Sequence, residues 1–447
     1  MPDCDLLVLG GGPGGHAAAL EAAARGARVV LVEPADLGGQ CVHHTCIPTQ
    51  ALLSAAVPYA TAQELAIAGV LDLGDAWALG RAVARKDALV GVLGQGVGRS
   101  LRAAGVDVVE GTGSLQGTDR VDVRASDGAS TELSAGAIVL ATGARWEAAP
   151  LEGIPAATVQ TLDALTSLTV VPKSAVIVGG GPARTAFALE YAFLLSVAGC
   201  AVTLVPDDAT VVAGLDPDLD PLVRDAFSAV GITVAAPGDL SSAEGAEIVA
   251  GPDTRRPHTE GLGLDGTGIR LDPVTGGVVV DASARTTLAS VYAVGDVTGS
   301  GMLSSSAAHA GRVAAANATG DRQRLRLGVL PHVLHAEPAI AWVGMSEVAA
   351  RADGHDVAVG IVDLGQTARG IVLGNRGGAV KIVADRELGQ VLGVHAVGPD
   401  AAEMIGVGTT ALAAELTAHD LAAATHWHPG GTEALGDAAR QCVGQMR

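Results

Sequence analysis

Aromatic side chains are almost absent: Trp, Tyr and Phe together make up 2% of the 447 residues, so the core has to be built from the aliphatic residues that dominate its 49% apolar content. Positive charge is scarce too. Lys and Arg number 28 against 48 Asp and Glu, a net charge of −20. That balance argues against a nucleic-acid backbone or an anionic membrane as partner. Cysteine occurs five times, at positions 4, 41, 46, 200 and 442, an odd and scattered set with one close pair. Such usage points to a reducing compartment, hence the cytoplasm, and away from a secreted disulfide framework. Strand-like residues begin at Asp5, leaving no room ahead of them for a basic segment and an apolar signal stretch. One apolar window, Ala186 to Val205, is as long as a membrane span, but Glu190 and Gly199 interrupt it. It reads as a buried helix followed by a buried strand. The length suffices for about two to four domains.

What the chain does have is organised around Gly38 to Gln50, GGQCVHHTCIPTQ. Cys41 and Cys46 lie five residues apart, which on an undistorted helix separates their α-carbons by roughly 8–9 Å, beyond the reach of a disulfide. Pairing therefore predicts a chain that is non-helical near Cys41 and becomes helical around Cys46. A thiol at a helix start feels the positive end of the dipole, which favours thiolate. A pair of that kind can open, attack and close again. Two unrelated buried cysteines would satisfy the spacing equally.

Two nucleotide-fold patterns flank this stretch. In the first, the apolar strand Asp5 to Leu9 leads into Gly10, Gly12 and Gly15, then an Ala-rich helix, then a second strand ending at Glu33. Strand, glycine signature, helix and terminal acid together predict dinucleotide binding, with Glu33 accepting from a ribose hydroxyl. The second starts at Ala175 and runs through Gly179 to Gly181. It carries four extra residues before its closing Gly199, in its loop or its helix. Without a gap, Arg184 replaces the third glycine; with one, Ala188 does. In both registers the counterpart of Glu33 is Pro206, whose side chain cannot accept a hydrogen bond, with Asp207 and Asp208 as imperfect substitutes. Between the two patterns, residues 51–105 read as helices and 106–143 as short strands closing on Ala141-Thr142-Gly143. Further on, Val291 to Val294 ends at Gly295-Asp296, an acid at a strand end suited to a ligand hydroxyl. An Ala-rich helix follows over 302–317, then a polar linker, and residues 329–447 form a last α+β unit ending in His426-Trp-His428-Pro429 and Glu433.

In this order, the motifs LGGGPGG, GGQCVHHTCIP, ATG, VYAVGD, HAEPAIAWVG, VLGVHAVGPDAAEMI and HWHPGGTEAL resemble the class I pyridine nucleotide–disulfide oxidoreductases, such as dihydrolipoamide dehydrogenase and mercuric reductase. The resemblance implies an α/β protein with two Rossmann-like nucleotide-binding domains and a C-terminal α+β dimerisation domain. These would be an FAD domain over 1–150 and 271–322, an NAD(P)-like and degenerate domain over 151–270, and an interface domain over 329–447. It implies a homodimer with shared active sites. Cys41 would be the interchange thiol, Cys46 the flavin-facing thiol, and His428 of the partner subunit, oriented by Glu433, the acid–base group. Gly10, Gly12, Gly15, Glu33, Gly39, Thr142, Gly143 and Asp296 would contact FAD.

The departures are equally specific. Gln50 stands where the family usually has a lysine near the flavin, and that lysine's glutamate partner corresponds to Ala186 or Glu190, depending on register. The stretch from Val234 to Gly251 is short, and the paired C-terminal cysteines of mercuric reductase are missing. Together with Pro206, these departures predict an FAD-dependent thiol–disulfide oxidoreductase independent of NAD(P)H, passing electrons to oxygen or another acceptor. Its substrate would be a small thiol or a thiol-bearing intermediate tethered to a carrier protein. The alternatives are an NAD-dependent dihydrolipoamide dehydrogenase-like enzyme with a divergent NAD site, and a non-catalytic flavoprotein. His43 and His44, between the cysteines, read as solvated or substrate-contacting residues, and no metal site is expected.

Overall fold

The strand Cys4–Leu9 is buried along nearly its whole length, as a central strand covered on both faces must be. In the computed structural model it pairs in parallel with Val29–Glu33 on one side and Ser130–Leu140 on the other. Asp107–Glu110 extends the sheet beyond Val29–Glu33, and Val291–Ala293 pairs in parallel with Ser130–Leu140. The first half of Ser130–Leu140 turns into an antiparallel ladder with Arg120–Arg124, which in turn pairs with Thr112–Leu115. The protein is thus an α/β fold. The structure describes residues 2–73, 77–179, 181–251, 253–300, 302–374 and 377–446.

Scarcity of rings is met by close helix approach. Pro13–Ala24 presents Ala18, Ala19 and Ala22 to the core, and Ser304–Ala318 presents Ala310, Ala314 and Ala315 to the same cluster. Where the two helices meet, a Cβ on Gly311 would lie 2.2 Å from the Gly14 carbonyl oxygen, so backbone packs on backbone.

The chain divides into two compact units. The first comprises Met1–Ala51, Arg81–Ala149 and Asp253–Leu325; the second comprises Leu52–Gly80, Pro150–Pro252 and Arg326–Arg447. The chain returns to the first unit at Asp253, earlier than residue 271, because Asp253–Pro257 pairs antiparallel with Ala144–Ala148. The second unit holds a five-stranded parallel sheet, in the order Ile232–Val234, Ala201–Val205, Ser174–Val178, Ile248–Ala250, Val159–Gln160. It also holds a five-stranded antiparallel sheet built from His332–Leu334, Ile340–Gly344, Val391–Val397, Ala379–Asp385 and Val357–Asp363. The window Ala186 to Val205 is a buried helix and strand, and no helix among the described residues is long and apolar enough to cross a membrane.

A buried cation explains why the second nucleotide fold and the C-terminal domain cluster as one unit. Lys381 is 1% exposed, and its Nζ donates to Asp216 at 2.9 Å, Asp218 at 2.6 Å and Glu347 at 2.8 Å. Asp216 N–H donates to Nδ1 of buried His395 at 3.1 Å, and His395 Nε2 donates to the Met345 carbonyl at 3.0 Å, which fixes a neutral imidazole.

The Gly14–Gly311 contact is a point of failure for the first unit. Gly311→Ala should lower its stability by about 1–3 kcal/mol, the usual effect of forcing a methyl group into a filled contact. Urea unfolding followed by circular dichroism measures this, and an unchanged midpoint would show that the helices can separate without loss.

Candidate active site

Sequence dictates the glycine loop by leaving no room for side chains. A Cβ on Gly10 would lie 2.3 Å from the Ala141 carbonyl oxygen, and one on Gly15 would lie 1.8 Å from the Gly10 carbonyl oxygen. Gly12 precedes the helix Pro13–Ala24, whose start has no side-chain cap, so its first amides point to an anion by default. At the end of the neighbouring strand, Glu33 accepts from the amides of Gly11 at 2.6 Å and Ala35 at 3.1 Å. Burial raises the Glu33 pKa, opposed by those two amides. This cradle fits the pyrophosphate and ribose of a dinucleotide such as FAD.

The cysteine segment is docked onto that loop. Gly38 N–H donates to the Gly11 carbonyl at 3.0 Å, and a Cβ on Gly39 would lie 2.8 Å from the Gly12 Cα. Both glycines have positive φ, 117° at Gly38 and 57° at Gly39, which starts a short helix, Gly39–His43. Cys41 is therefore inside a helical turn, a correction to the non-helical chain that pairing predicts there. The break falls at His44 and Thr45, and the long helix Cys46–Ile67 begins at Cys46, as the spacing requires.

The two thiols are unbridged and within hydrogen-bonding reach of each other. The hydrogen bond from Cys41 lowers the Cys46 pKa to about 6 against the opposing effect of burial, with further help from the Ser304 hydroxyl and the positive charge of Arg255. Cys41 is pushed up, because its proton is held by Cys46 and its surroundings are dry. Both influences favour thiolate on Cys46 over thiolate on Cys41. Gln40 Oε1, beside Cys41, is buried and has no hydrogen-bond partner among the described residues.

Thr142 and Gly143 lie in the turn after Ser130–Leu140. Thr142 Oγ1 donates to the His258 carbonyl at 2.8 Å, and His258 N–H donates to the Gly143 carbonyl at 2.8 Å. Ala141, one residue earlier, is the residue whose carbonyl abuts Gly10. Asp296 is not a free acceptor. Its carboxylate is held by Arg255, which also donates to the Met302 carbonyl at 2.7 Å and lies 5.1 Å from the Trp146 ring centroid. Burial raises the Asp296 pKa and Arg255 opposes it. His43 Nε2 donates to the Leu37 carbonyl at 3.0 Å, a structural contact, and His44 is exposed.

His428 and Glu433 belong to the second unit and find each other there, with Nδ1 3.1 Å and 3.2 Å from the two carboxylate oxygens. Glu433 is lowered first by the Gly430 amide and then by His428. The second nucleotide fold repeats the first in backbone detail. Gly179 N–H donates to the Val205 carbonyl at 2.9 Å, as Gly10 N–H does to Val32 at 2.9 Å, so Pro206 does occupy the Glu33 position. The extra residues lie in the helix, since Gly181–Val197 has 17 residues against 12 in Pro13–Ala24. The Arg184 side chain lies outside the described residues. Glu190 is buried and accepts from the His335 amide at 2.9 Å. Sequence reading overlooked Ser304 and Trp146, for which no local pattern exists.

The family model for pyridine nucleotide-disulphide oxidoreductases matches residues 4–311, and the model for the family's dimerisation domain matches residues 330–439. Dihydrolipoyl dehydrogenase 3 of Pseudomonas aeruginosa is 32% identical over 100% of this chain and 99% of its own length. Dihydrolipoyl dehydrogenase of Chlorobaculum parvum is 34% identical over 97% and 96%. Among solved structures, LpdA from Mycobacterium tuberculosis superposes with a TM-score of 0.87 at 26% identity, over 98% of this chain and 99% of that one. The HOCl-induced flavoprotein disulfide reductase RclA from Escherichia coli, solved as a Cu(II) complex, shares the fold with a TM-score of 0.84 at 23% identity over 98% and 99%. The relatives' names favour the dihydrolipoamide dehydrogenase-like alternative over a nicotinamide-independent enzyme. The chain belongs to the pyridine nucleotide-disulphide oxidoreductase family and is a flavin-dependent, dihydrolipoamide dehydrogenase-like oxidoreductase.

Proposed function

We propose that this protein oxidises a small dithiol through the Cys41–Cys46 pair, with NAD as the final acceptor, in the manner of a dihydrolipoyl dehydrogenase. The observation that carries the reading is the Cys41–Cys46 pair docked on the glycine loop through Gly38 and Gly39, with the Ser304 hydroxyl 3.2 Å from the Cys46 sulfur. An incoming substrate thiolate attacks the Cys41 sulfur of the oxidised pair, the sulfur–sulfur bond opens, and Cys46 leaves in the form that its surroundings already favour. The second substrate thiol then displaces Cys41, which takes up a proton. His428, held by Glu433, is suited to accept the substrate's protons, working as His428 of the partner subunit in a homodimer. FAD, when bound against Gly10, Gly12, Gly15, Glu33, Gly39, Thr142, Gly143 and Asp296, supplies the two-electron acceptor next in line.

A second reading keeps the thiol chemistry but passes electrons to oxygen or another acceptor, on a small or carrier-tethered thiol. Pro206 at the Glu33 position favours it. A lost hydrogen bond to a ribose hydroxyl weakens binding by roughly ten- to hundredfold, which leaves a working but poor nicotinamide site.

Two outcomes are expected. In dithiol-reduced protein, alkylation of Cys46 by iodoacetamide should persist down to about pH 6 and fall below it, because only the thiolate reacts and Cys46 is lowered to about 6. Cys41→Ala, which removes the donor, should move that midpoint up towards an ordinary cysteine near 8.5; peptide mapping by mass spectrometry reads both, and an unshifted midpoint would sink the polarised pair. Secondly, anaerobic stopped-flow mixing with NADH should reduce the bound flavin, and Pro206→Glu should tighten NADH binding about tenfold. Flavin that a dithiol reduces but NADH does not would establish the second reading.

A further inference from the structure

Ser304 opens the helix Ser304–Ala318, and its Oγ lies 3.2 Å from Cys46 Sγ. Thr45 Oγ1 is 3.7 Å from the same Cys46 sulfur, but it donates to the Gln40 carbonyl at 3.1 Å, and a hydroxyl has one proton to give. The Ser304 hydroxyl has no acceptor other than the Cys46 sulfur among the described residues. More remote charges act in the same sense: the Arg255 cation favours thiolate on Cys46, and Asp296, which holds that guanidinium, disfavours thiolate on Cys41.

We propose that Ser304 is the thiolate-stabilising donor of this site, the hydroxyl that makes Cys46 rather than Cys41 the leaving sulfur when the pair opens. The proposal rests on the reading that the pair cycles between disulfide and dithiol. A bond forms between the substrate sulfur and Cys41 Sγ as the Cys41–Cys46 bond breaks, and the electron pair of that bond goes to Cys46 Sγ. The Ser304 O–H donates to the new thiolate without transferring its proton. The second substrate thiolate then attacks the substrate sulfur of the mixed disulfide, and Cys41 departs and is protonated. One dithiol is oxidised and one protein disulfide is reduced.

The test uses the full-length flavin-loaded protein and three variants, Ser304→Ala, Ser304→Val and Ser304→Thr, with dithiothreitol as the probe dithiol. Val and Thr have the same shape and differ in the hydroxyl. In the reduced protein, Ala and Val should move the pH midpoint for Cys46 alkylation up by about one unit, and Thr should leave it in place. In the oxidised protein, acid-quenched samples should show the pair opening roughly tenfold more slowly in Ala and Val and at the parent rate in Thr. Midpoints unchanged in Val, or shifted equally in Val and Thr, would overturn the role of Ser304. A parent protein whose pair dithiothreitol never opens would instead overturn the redox reading, and the alkylation midpoints, read on protein reduced with dithionite, would still decide on Ser304.

Discussion

The contact on which the site depends is backbone against backbone: Gly38 and Gly39 lie on Gly11 and Gly12. One hydrogen bond of 3.0 Å and one approach too close for a Cβ fix the cysteine segment to the loop that ends the central strand. Because the loop is itself fixed by Gly10 against Ala141 and by Gly15 against Gly10, the position of Cys41 is set by the sheet. A redox pair needs this. Disulfide geometry tolerates only a narrow range of α-carbon separations, and a pair carried on a free loop would drift through it.

The polarity of the pair follows from unequal surroundings. Cys46 has a helix running away from it and hydroxyls beside it, while Cys41 lies in a five-residue turn with little dipole of its own. Burial alone would raise both thiols. It is overcome at Cys46 by donors pointed at the sulfur, the same balance that places Glu33 between burial and two backbone amides. In a chain with a net charge of −20, local donors rather than the overall field have to favour an anion at this point.

Much of this was legible in the sequence because it is local. Glycine spacing, strand patterning and the five-residue separation of Cys41 and Cys46 all act within a few residues, and the start of the long helix at Cys46 follows from the last of these. Cys41 was misread because two consecutive positive-φ glycines can launch a helical turn that spacing arguments do not anticipate. The Arg255–Asp296 pair spans 41 residues, Cys46–Ser304 spans 258, and Lys381–Asp216 spans 165, so none leaves a pattern within any window of the chain. Ser304 in particular is one of three consecutive serines, and only the fold distinguishes it.

The second nucleotide fold poses a separate question, whether its presence implies that its ligand is used. Its sheet keeps the parallel order and the strand-end hydrogen bond of the first fold, yet Pro206 has no side-chain acceptor to offer and Asp208 accepts from the Ala209 amide at 2.6 Å. Retention has an independent physical cause. Asp216, which follows its strand Ala201–Val205, is buried against Lys381 and His395, and Glu190 in its helix is buried against the His335 amide. Removing one partner from a buried charge network of this kind typically destabilises by about 3–5 kcal/mol, a large share of a domain's net stability. The lobe is therefore held in the fold by its polar contacts to the C-terminal sheet whether or not a nucleotide binds it. Its backbone records ancestry and packing; only the side chains around Pro206 bear on which electron acceptor the enzyme uses.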